Sequence, residues 1–132
     1  MGAEPYSYEV EYEDELEAVF RKLQQSVFES KEFRCNVDNP SSIQEVLMNA
    51  DESGTASILD IFGLSENHQI GHLSPLSEKE KTEYFGTLRL SLNQVKNSNE
   101  FWDSIGRVEA RYVTVYDGET PVNIFVAGYS AD

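Results

Sequence analysis

The chain has little cysteine, little proline and little positive charge. Its 132 residues include one Cys, four Pro, and ten Lys or Arg against 24 Asp or Glu. The single Cys35 excludes a disulfide framework and a site built from several cysteines. No apolar run approaches the roughly 20 residues of a membrane span, and the acidic first 12 residues lack the basic and apolar regions of a secretory signal. We therefore expect a cytoplasmic protein.

The shortage of bases also restricts the possible partners. Phosphate binding needs clustered Lys and Arg, so a pI near 4.4 argues against nucleic acid and against docking on anionic membranes. The apolar content of 39%, with seven Phe, seven Tyr and one Trp, is sufficient for one ordinary core. At this length we expect a single domain over residues 1–132.

The formal net charge of −14 arises in two segments that contain no Lys or Arg. Residues 1–20 and residues 35–78 carry seven carboxylates each, and the rest of the chain is neutral. Such a segment either spreads its charges over a solvated surface or binds something that neutralises them. Ca²⁺ takes six to eight oxygen ligands, so calcium is the first hypothesis.

The periodicity of the chain predicts a compact α+β domain, a mostly antiparallel sheet with helices packed on it. Residues 6–12 alternate as a strand, with tyrosines on one face and glutamates on the other. A helix follows over residues 15–29, with Asp14 as its N-cap, and a short helix opens at Ser41. The last quarter predicts two strands, 108–116 and 122–129, joined by a turn at Asp117-Gly118.

The sequence pattern in the middle of the chain is less regular. Residues 55–62 are rich in β-formers and predict a strand, and residues 63–74 predict a polar loop. Ser77 with Glu80 predicts a capping box that opens a helix ending at Gly86. Residues 91–105 predict a further helical stretch that Gly106 stops.

Sequence motifs give little support to an enzyme. His68 and His72 are spaced i, i+4, but glycines nearby favour a loop, and no His-Glu-x-x-His motif is present. A phosphate-binding loop and a nucleophile elbow are also missing from the sequence. We predict no catalytic residues and no organic cofactor; a hydrolase using an acid pair or a histidine-assisted metal is the weakest of three hypotheses.

Two acidic clusters are candidates for a calcium site of a non-EF-hand type. The spacing around Gly54 does not fit the EF-hand loop, which needs Gly at position 6 and Glu at position 12. The first cluster surrounds that glycine, with Asn39 and Asp60 as possible neighbours: Asp38, Asp51, Glu52 and Thr55. The second lies where the first strand enters the first helix, with Glu9 as a possible member: Glu11, Glu13 and Asp14. The alternative for each acid is a helix cap, a turn or a solvated face.

Two blocks carry a resemblance to a known family. They are residues 49–61, Asn-Ala-Asp-Glu-Ser-Gly-Thr-Ala-Ser-Ile-Leu-Asp-Ile, and the ending Tyr112–Tyr116 with Ile124–Ser130. With its size and acidity, the chain resembles the CcbP family of cyanobacterial calcium-binding proteins, which regulate heterocyst differentiation. The resemblance spans essentially the full length. It implies a calcium buffer without EF-hands, with more than one calcium site and differing affinities, whose loss frees calcium that promotes differentiation.

An alternative from another class is an acidic interaction module of the immunity or anti-activator type. Its negative field would steer a basic protein partner. Binding through exposed charges would weaken sharply with salt, whereas a caged calcium site would be less affected.

Overall fold

The computed structural model describes residues 4–49 and 54–130. The strands of these ranges are β1 Pro5–Glu11, β2 Gly63–Leu64, β3 His72–Pro75, β4 Glu109–Asp117 and β5 Thr120–Tyr129. The α-helices are α1 Leu16–Ser30, α2 Ile43–Met48, α3 Glu78–Phe85, α4 Leu92–Lys96 and α5 Asn99–Asp103, and residues Ile58–Asp60 form a 3₁₀ helix. None of the helices in these ranges is long and apolar enough to cross a membrane.

All five strands belong to one mixed sheet with the order β1-β5-β4-β3-β2. The β1/β5 and β5/β4 pairs are antiparallel, and the two short pairs at the other side, β4/β3 and β3/β2, are parallel. The long β4–β5 hairpin lies at the centre, because β5 also pairs with β1 and β4 also pairs with β3. The predicted α+β fold with a mostly antiparallel sheet is confirmed.

Helices cover both faces of the sheet because β5 is apolar on both. Ile124 and Val126 pack with α1 and the 3₁₀ helix, around the fully buried Phe20. Phe125 and Ala127 pack on the opposite face with residues from α3 to α5, around the fully buried Phe101. A central strand buried on both faces has near-continuous apolar character.

Several local predictions are confirmed. Strand β1 and helix α1 lie within a residue of their expected bounds. Helix α3 has the capping box of Ser77 and Glu80, and it ends at Gly86 with φ 72°. The β4–β5 turn contains Gly118 at φ 65°, a left-handed conformation that glycine adopts without steric cost.

The predicted strand over residues 55–62 is wrong. Ser57 caps a 3₁₀ turn by accepting a hydrogen bond from the N–H of Leu59, and Ala56 has a positive φ of 56°. The Thr55 N–H and hydroxyl both donate to Asp60 Oδ1, which closes the segment on itself. These side-chain hydrogen bonds compete with a sheet ladder and override the β propensity of the residues.

Three smaller predictions are also wrong. Asp14 is not the N-cap of α1; Glu15 occupies that position and its side chain makes no capping bond. The loop over 63–74 contains β2 and the start of β3, so His72 lies in a strand. The stretch 91–105 forms two helices, because Ser91 and Ser98 each accept a hydrogen bond that caps a new one.

Candidate functional site

The fold neutralises much of the first acidic segment with bases from outside it. Four of its seven carboxylates form ion pairs with a Lys or Arg: Glu4 with Arg34, Glu9 with Lys96, Glu13 with Lys22, and Glu17 with Arg21. The Glu17–Arg21 pair lies within α1, and the other three pairs join parts of the chain that the fold brings together.

Five carboxylates of the second acidic segment lie within the described residues. Within 4–49 and 54–130, no carboxylate from residues 35–78 forms an ion pair with Lys or Arg. Asp38 and Glu66 are exposed, and Glu45 accepts a hydrogen bond from the Ser41 hydroxyl. These five carboxylates therefore differ from those near the N-terminus, most of which have a basic partner.

The second predicted cluster has internal partners. Both carboxylate oxygens of Glu13 accept hydrogen bonds from Lys22 Nζ, at 3.0 and 2.9 Å. Asp14 Oδ1 accepts a hydrogen bond of 2.8 Å from the Tyr12 hydroxyl. Glu11 is exposed at the end of β1, opposite Asn123 of β5. A calcium ion at this cluster would have to displace the ammonium group of Lys22.

The first predicted cluster contains a buried polar pair. Asp60 lies in the 3₁₀ helix with 9% of its surface exposed, and Thr55 is fully buried. Asp60 Oδ1 accepts from the N–H and from the hydroxyl of Thr55, at 2.7 and 2.8 Å. The hydroxyl of Ser57 lies 2.8 Å from that of Thr55, so the three side chains form one hydrogen-bonded group.

The second oxygen of Asp60 has no hydrogen-bond partner among the described residues. It shares this property with three other buried atoms of those residues: Tyr6 Oη, Ser74 Oγ and Arg111 Nε. Asp60 Oδ2 is the carboxylate oxygen in that group. It lies against Gly54, where an added Cβ would come within 2.8 Å of it. A buried carboxylate oxygen without a partner costs free energy unless a ligand satisfies it.

The electrostatics of Asp60 are consistent with this geometry. Burial raises the pKa of its carboxyl above the ordinary value, while the two hydrogen bonds from Thr55 and the charge of Arg34 act against the rise. Burial also raises the pKa of Tyr6 and Tyr8, and the nearby charge of Asp60 adds to both effects. The Tyr8 hydroxyl accepts from the N–H of Ile58, two residues before Asp60.

The loop that contains Asp38 runs beside the same segment. The N–H of Arg34 donates to the carbonyl of Thr55 at 2.7 Å, and the N–H of Asn36 donates to that of Asn49 at 3.0 Å. Residues 34–36 are thus bonded to the chain on both sides of residues 50–53. Asp51 and Glu52, two members of the predicted cluster, lie outside the described residues.

The described residues alone do not assemble a complete metal site. Over 4–49 and 54–130, no group of three or more His, Cys, Asp or Glu is placed to hold an ion. Asp60 nevertheless fits one ligand position for a hard cation, because its free oxygen is buried and ionisable. The sequence signal for Asp60 is a carboxylate inside the apolar run Ile58-Leu59-Asp60-Ile61.

The two histidines have different partners. His68 Nδ1 lies 3.8 Å from Glu109 Oε1, and His72 Nδ1 lies 3.0 Å from the carbonyl oxygen of Ile70. The i, i+4 spacing does not place them on a helix face, since His72 begins β3.

Sequence reasoning missed a buried ion pair beneath α3. Arg111 of β4 donates to both oxygens of Glu80, at 2.6 and 2.8 Å, and to the carbonyl of Pro75. Hydrogen bonds from Arg111 are the main cause that lowers the pKa of Glu80 to about 2. The sequence does contain a signal for this buried arginine. Alternate residues of a strand share one face, so Arg111 lies on the same face as the apolar Val113 and Val115.

Comparison with protein-family models, with curated proteins and with solved structures finds no match to this chain.

Proposed function

We propose that this protein binds Ca²⁺ at the segment around Gly54 and Asp60 and acts as a calcium buffer. The observation that carries the proposal is the free Oδ2 atom of Asp60, a buried carboxylate oxygen without a partner among the described residues. It belongs to the second acidic segment, whose five described carboxylates form no ion pair with Lys or Arg of those ranges.

Calcium chemistry suits these groups. Ca²⁺ accepts carboxylate, hydroxyl and backbone carbonyl oxygens at 2.3–2.6 Å in a flexible geometry. Asp60 would supply a carboxylate, and Asp38, Asp51 and Glu52 would supply the further negative charge. Thr55 would hold Asp60 in position, because its N–H and hydroxyl fix Oδ1 and leave Oδ2 for the ion.

Binding would also stabilise the fold. A ligand that binds the folded state alone adds RT ln(1+[L]/Kd), about 2.7 kcal/mol at a hundredfold excess over Kd. Mg²⁺ gives up its waters reluctantly and prefers octahedral sites, so Ca²⁺ should raise the melting temperature more at matched ionic strength.

The test is a calorimetric Ca²⁺ titration of metal-stripped protein in 0.15 M salt with excess Mg²⁺. The variant is Asp60→Asn, because the amide oxygen can still accept both hydrogen bonds from Thr55 while the charge is removed. The matched control is Asp103→Asn, which removes one exposed carboxylate from the neutral part of the chain. We expect saturable binding, at least about tenfold weaker in Asp60→Asn and unchanged in the control.

Two results would contradict the proposal. A flat titration, or equal stabilisation by Ca²⁺ and Mg²⁺, would mean that the ions only screen charge. A triple variant of the other cluster, Glu11→Gln, Glu13→Gln and Asp14→Asn, decides the location. If the triple variant lost calcium binding and Asp60→Asn kept it, the site would lie at the start of α1.

A further inference from the structure

Strand β1 forms one edge of the sheet within the described residues, and two backbone hydrogen bonds define its bonding pattern. The Ser130 N–H donates to the Glu4 carbonyl, and the Tyr12 N–H donates to the Val122 carbonyl. Both bonds fit the register of the β1/β5 pair. In an antiparallel ladder the bonded positions alternate, so Tyr6, Tyr8 and Val10 also bond inward to β5.

The intervening residues of β1 therefore direct their backbone groups outward. Ser7, Glu9 and Glu11 each present an N–H and a carbonyl at the edge, and Pro5 presents a carbonyl alone. Edges of this kind are templates for pairing with another extended chain. The side chains of these residues lie on the sheet face opposite the tyrosines Tyr6 and Tyr8.

An aromatic groove of about 400 Å³ adjoins the first half of this edge. Pro5, Tyr6 and Ser7 line it together with Trp102 of α5 and Tyr129 of β5. The Trp102 and Tyr129 rings meet edge to face, with centroids 5.6 Å apart. The groove can accept an apolar side chain from a strand that pairs with residues 5–7.

The second half of the edge is acidic. Glu9 and Glu11 are exposed on the same face as Ser7, and Glu9 forms an ion pair with Lys96 at the end of α4. Two copies of this edge would place like charges side by side, so charge disfavours self-pairing. A foreign strand with bases at alternate positions would instead place one base beside Glu11, which forms no ion pair among the described residues, and a second beside Glu9, where it would share the carboxylate with Lys96.

We propose that β1 receives an extended, basic segment of a protein partner by strand addition. In antiparallel alignment, the segment carries two bases opposite Glu11 and Glu9, followed by two apolar residues opposite Ser7 and Pro5. The backbone supplies affinity and the alternate side chains supply specificity. The inference is independent of calcium binding, because neither Asp60 nor Gly54 contributes to this edge.

The test uses two peptides with the same composition. The first is acetyl-Lys-Thr-Lys-Thr-Leu-Thr-Leu-amide, which places its bases and leucines on one face. The control is acetyl-Lys-Lys-Thr-Thr-Thr-Leu-Leu-amide, in which neighbouring bases point to opposite faces. Trp102 is the only tryptophan of the chain, so its fluorescence reports binding at the groove. Amide exchange of Ser7, Glu9 and Glu11 reports backbone pairing.

Protein variants isolate the edge from general attraction. Ser7→Pro removes an outward N–H and leaves the hydrogen bonds to β5 in place. Edge strands tolerate a proline at such a position. Glu11→Gln removes one charge that faces the added strand, and Glu17→Gln is its control on helix α1, which packs on the sheet face of Tyr6 and Tyr8. We expect the first peptide to slow exchange of the three amides and to bind about tenfold more weakly to Ser7→Pro.

Four outcomes would overturn the inference. Equal binding of both peptides would show attraction by charge alone, as would equal loss in Glu11→Gln and Glu17→Gln. Absence of binding by the first peptide in low salt would exclude the edge as a docking site. If Ser7→Pro fails to fold, N-methylation of the peptide at the amides facing β1 makes the same test, and full binding by that peptide would refute strand addition.

Discussion

Replacement of Glu80 by glutamine should destabilise the protein through the buried Arg111. The side chain of Arg111 is 3% exposed and that of Glu80 is 22% exposed, so solvent screens the pair weakly. Glutamine can still accept the capping hydrogen bond from the Ser77 N–H. The substitution therefore removes the charge of residue 80, while helix α3 keeps its capping box. The guanidinium then stays buried without a counter-charge.

The expected magnitude follows from the pKa of Glu80. Its carboxyl has a pKa of about 2 in the fold, against an ordinary value of 4.5. Each pKa unit corresponds to 1.36 kcal/mol, so the charged form contributes about 3 kcal/mol at neutral pH. Because the pKa is lowered on folding, this stability is present above pH 4.5 and is lost as the pH falls toward 2.

The assay is urea unfolding of the native protein and Glu80→Gln in a metal-free buffer, between pH 7 and pH 3.5. We expect the difference in unfolding free energy to be about 3 kcal/mol at pH 7 and about 2 kcal/mol at pH 3.5. The double variant with Arg111→Met should recover much of the loss, since both charges are then removed. A difference that does not change with pH would refute the electrostatic reasoning and indicate lost packing or hydrogen bonds.

Two other substitutions test the buried contacts of β1 and of Asp60. Thr55→Val removes one of two hydrogen bonds to Asp60 Oδ1. The free energy of unfolding in urea should fall by about 1–2 kcal/mol, and the pKa of Asp60, followed by NMR titration, should rise further. An unchanged pKa would contradict this. Gly128→Ala would place a Cβ 2.6 Å from Tyr6 Cζ and 2.8 Å from the Glu109 carbonyl oxygen, which should cost about 1–3 kcal/mol by thermal unfolding. Gly63→Ala is its control, because no atom lies within 4 Å of that added Cβ, and an equal loss in both would exclude the steric cause.

The local order of helices and strands was largely predictable where side-chain periodicity and capping agree. The tyrosine alternation of β1 and the capping box of α3 are both local signals, and both occur as expected. The segment from Thr55 to Phe62 was not predictable in this way. Its β-formers predict a strand, but Thr55, Ser57 and Asp60 bond to one another and form a 3₁₀ turn.

The hydrogen-bonded group around Thr55 lies in a segment that the sequence singles out, but its geometry was not predictable. The position of Thr55 and the neighbouring Asp60 was anticipated, yet no sequence pattern showed that Thr55 takes one carboxylate oxygen and leaves the other free. The Glu80–Arg111 pair joins residues 31 positions apart, so only the packing of α3 on β4 could bring them together.

The sequence by itself determined the acidity, the shortage of bases and the apolar patterns that form a sheet with helices on it. These are sums and periodicities along the chain, which do not depend on contacts between distant residues. The tertiary structure alone decided which carboxylates are neutralised, because an ion pair needs two side chains within about 4 Å. Lys22, Arg34 and Lys96 reach the first acidic segment, while the described carboxylates of residues 35–78 form no ion pair with a described Lys or Arg.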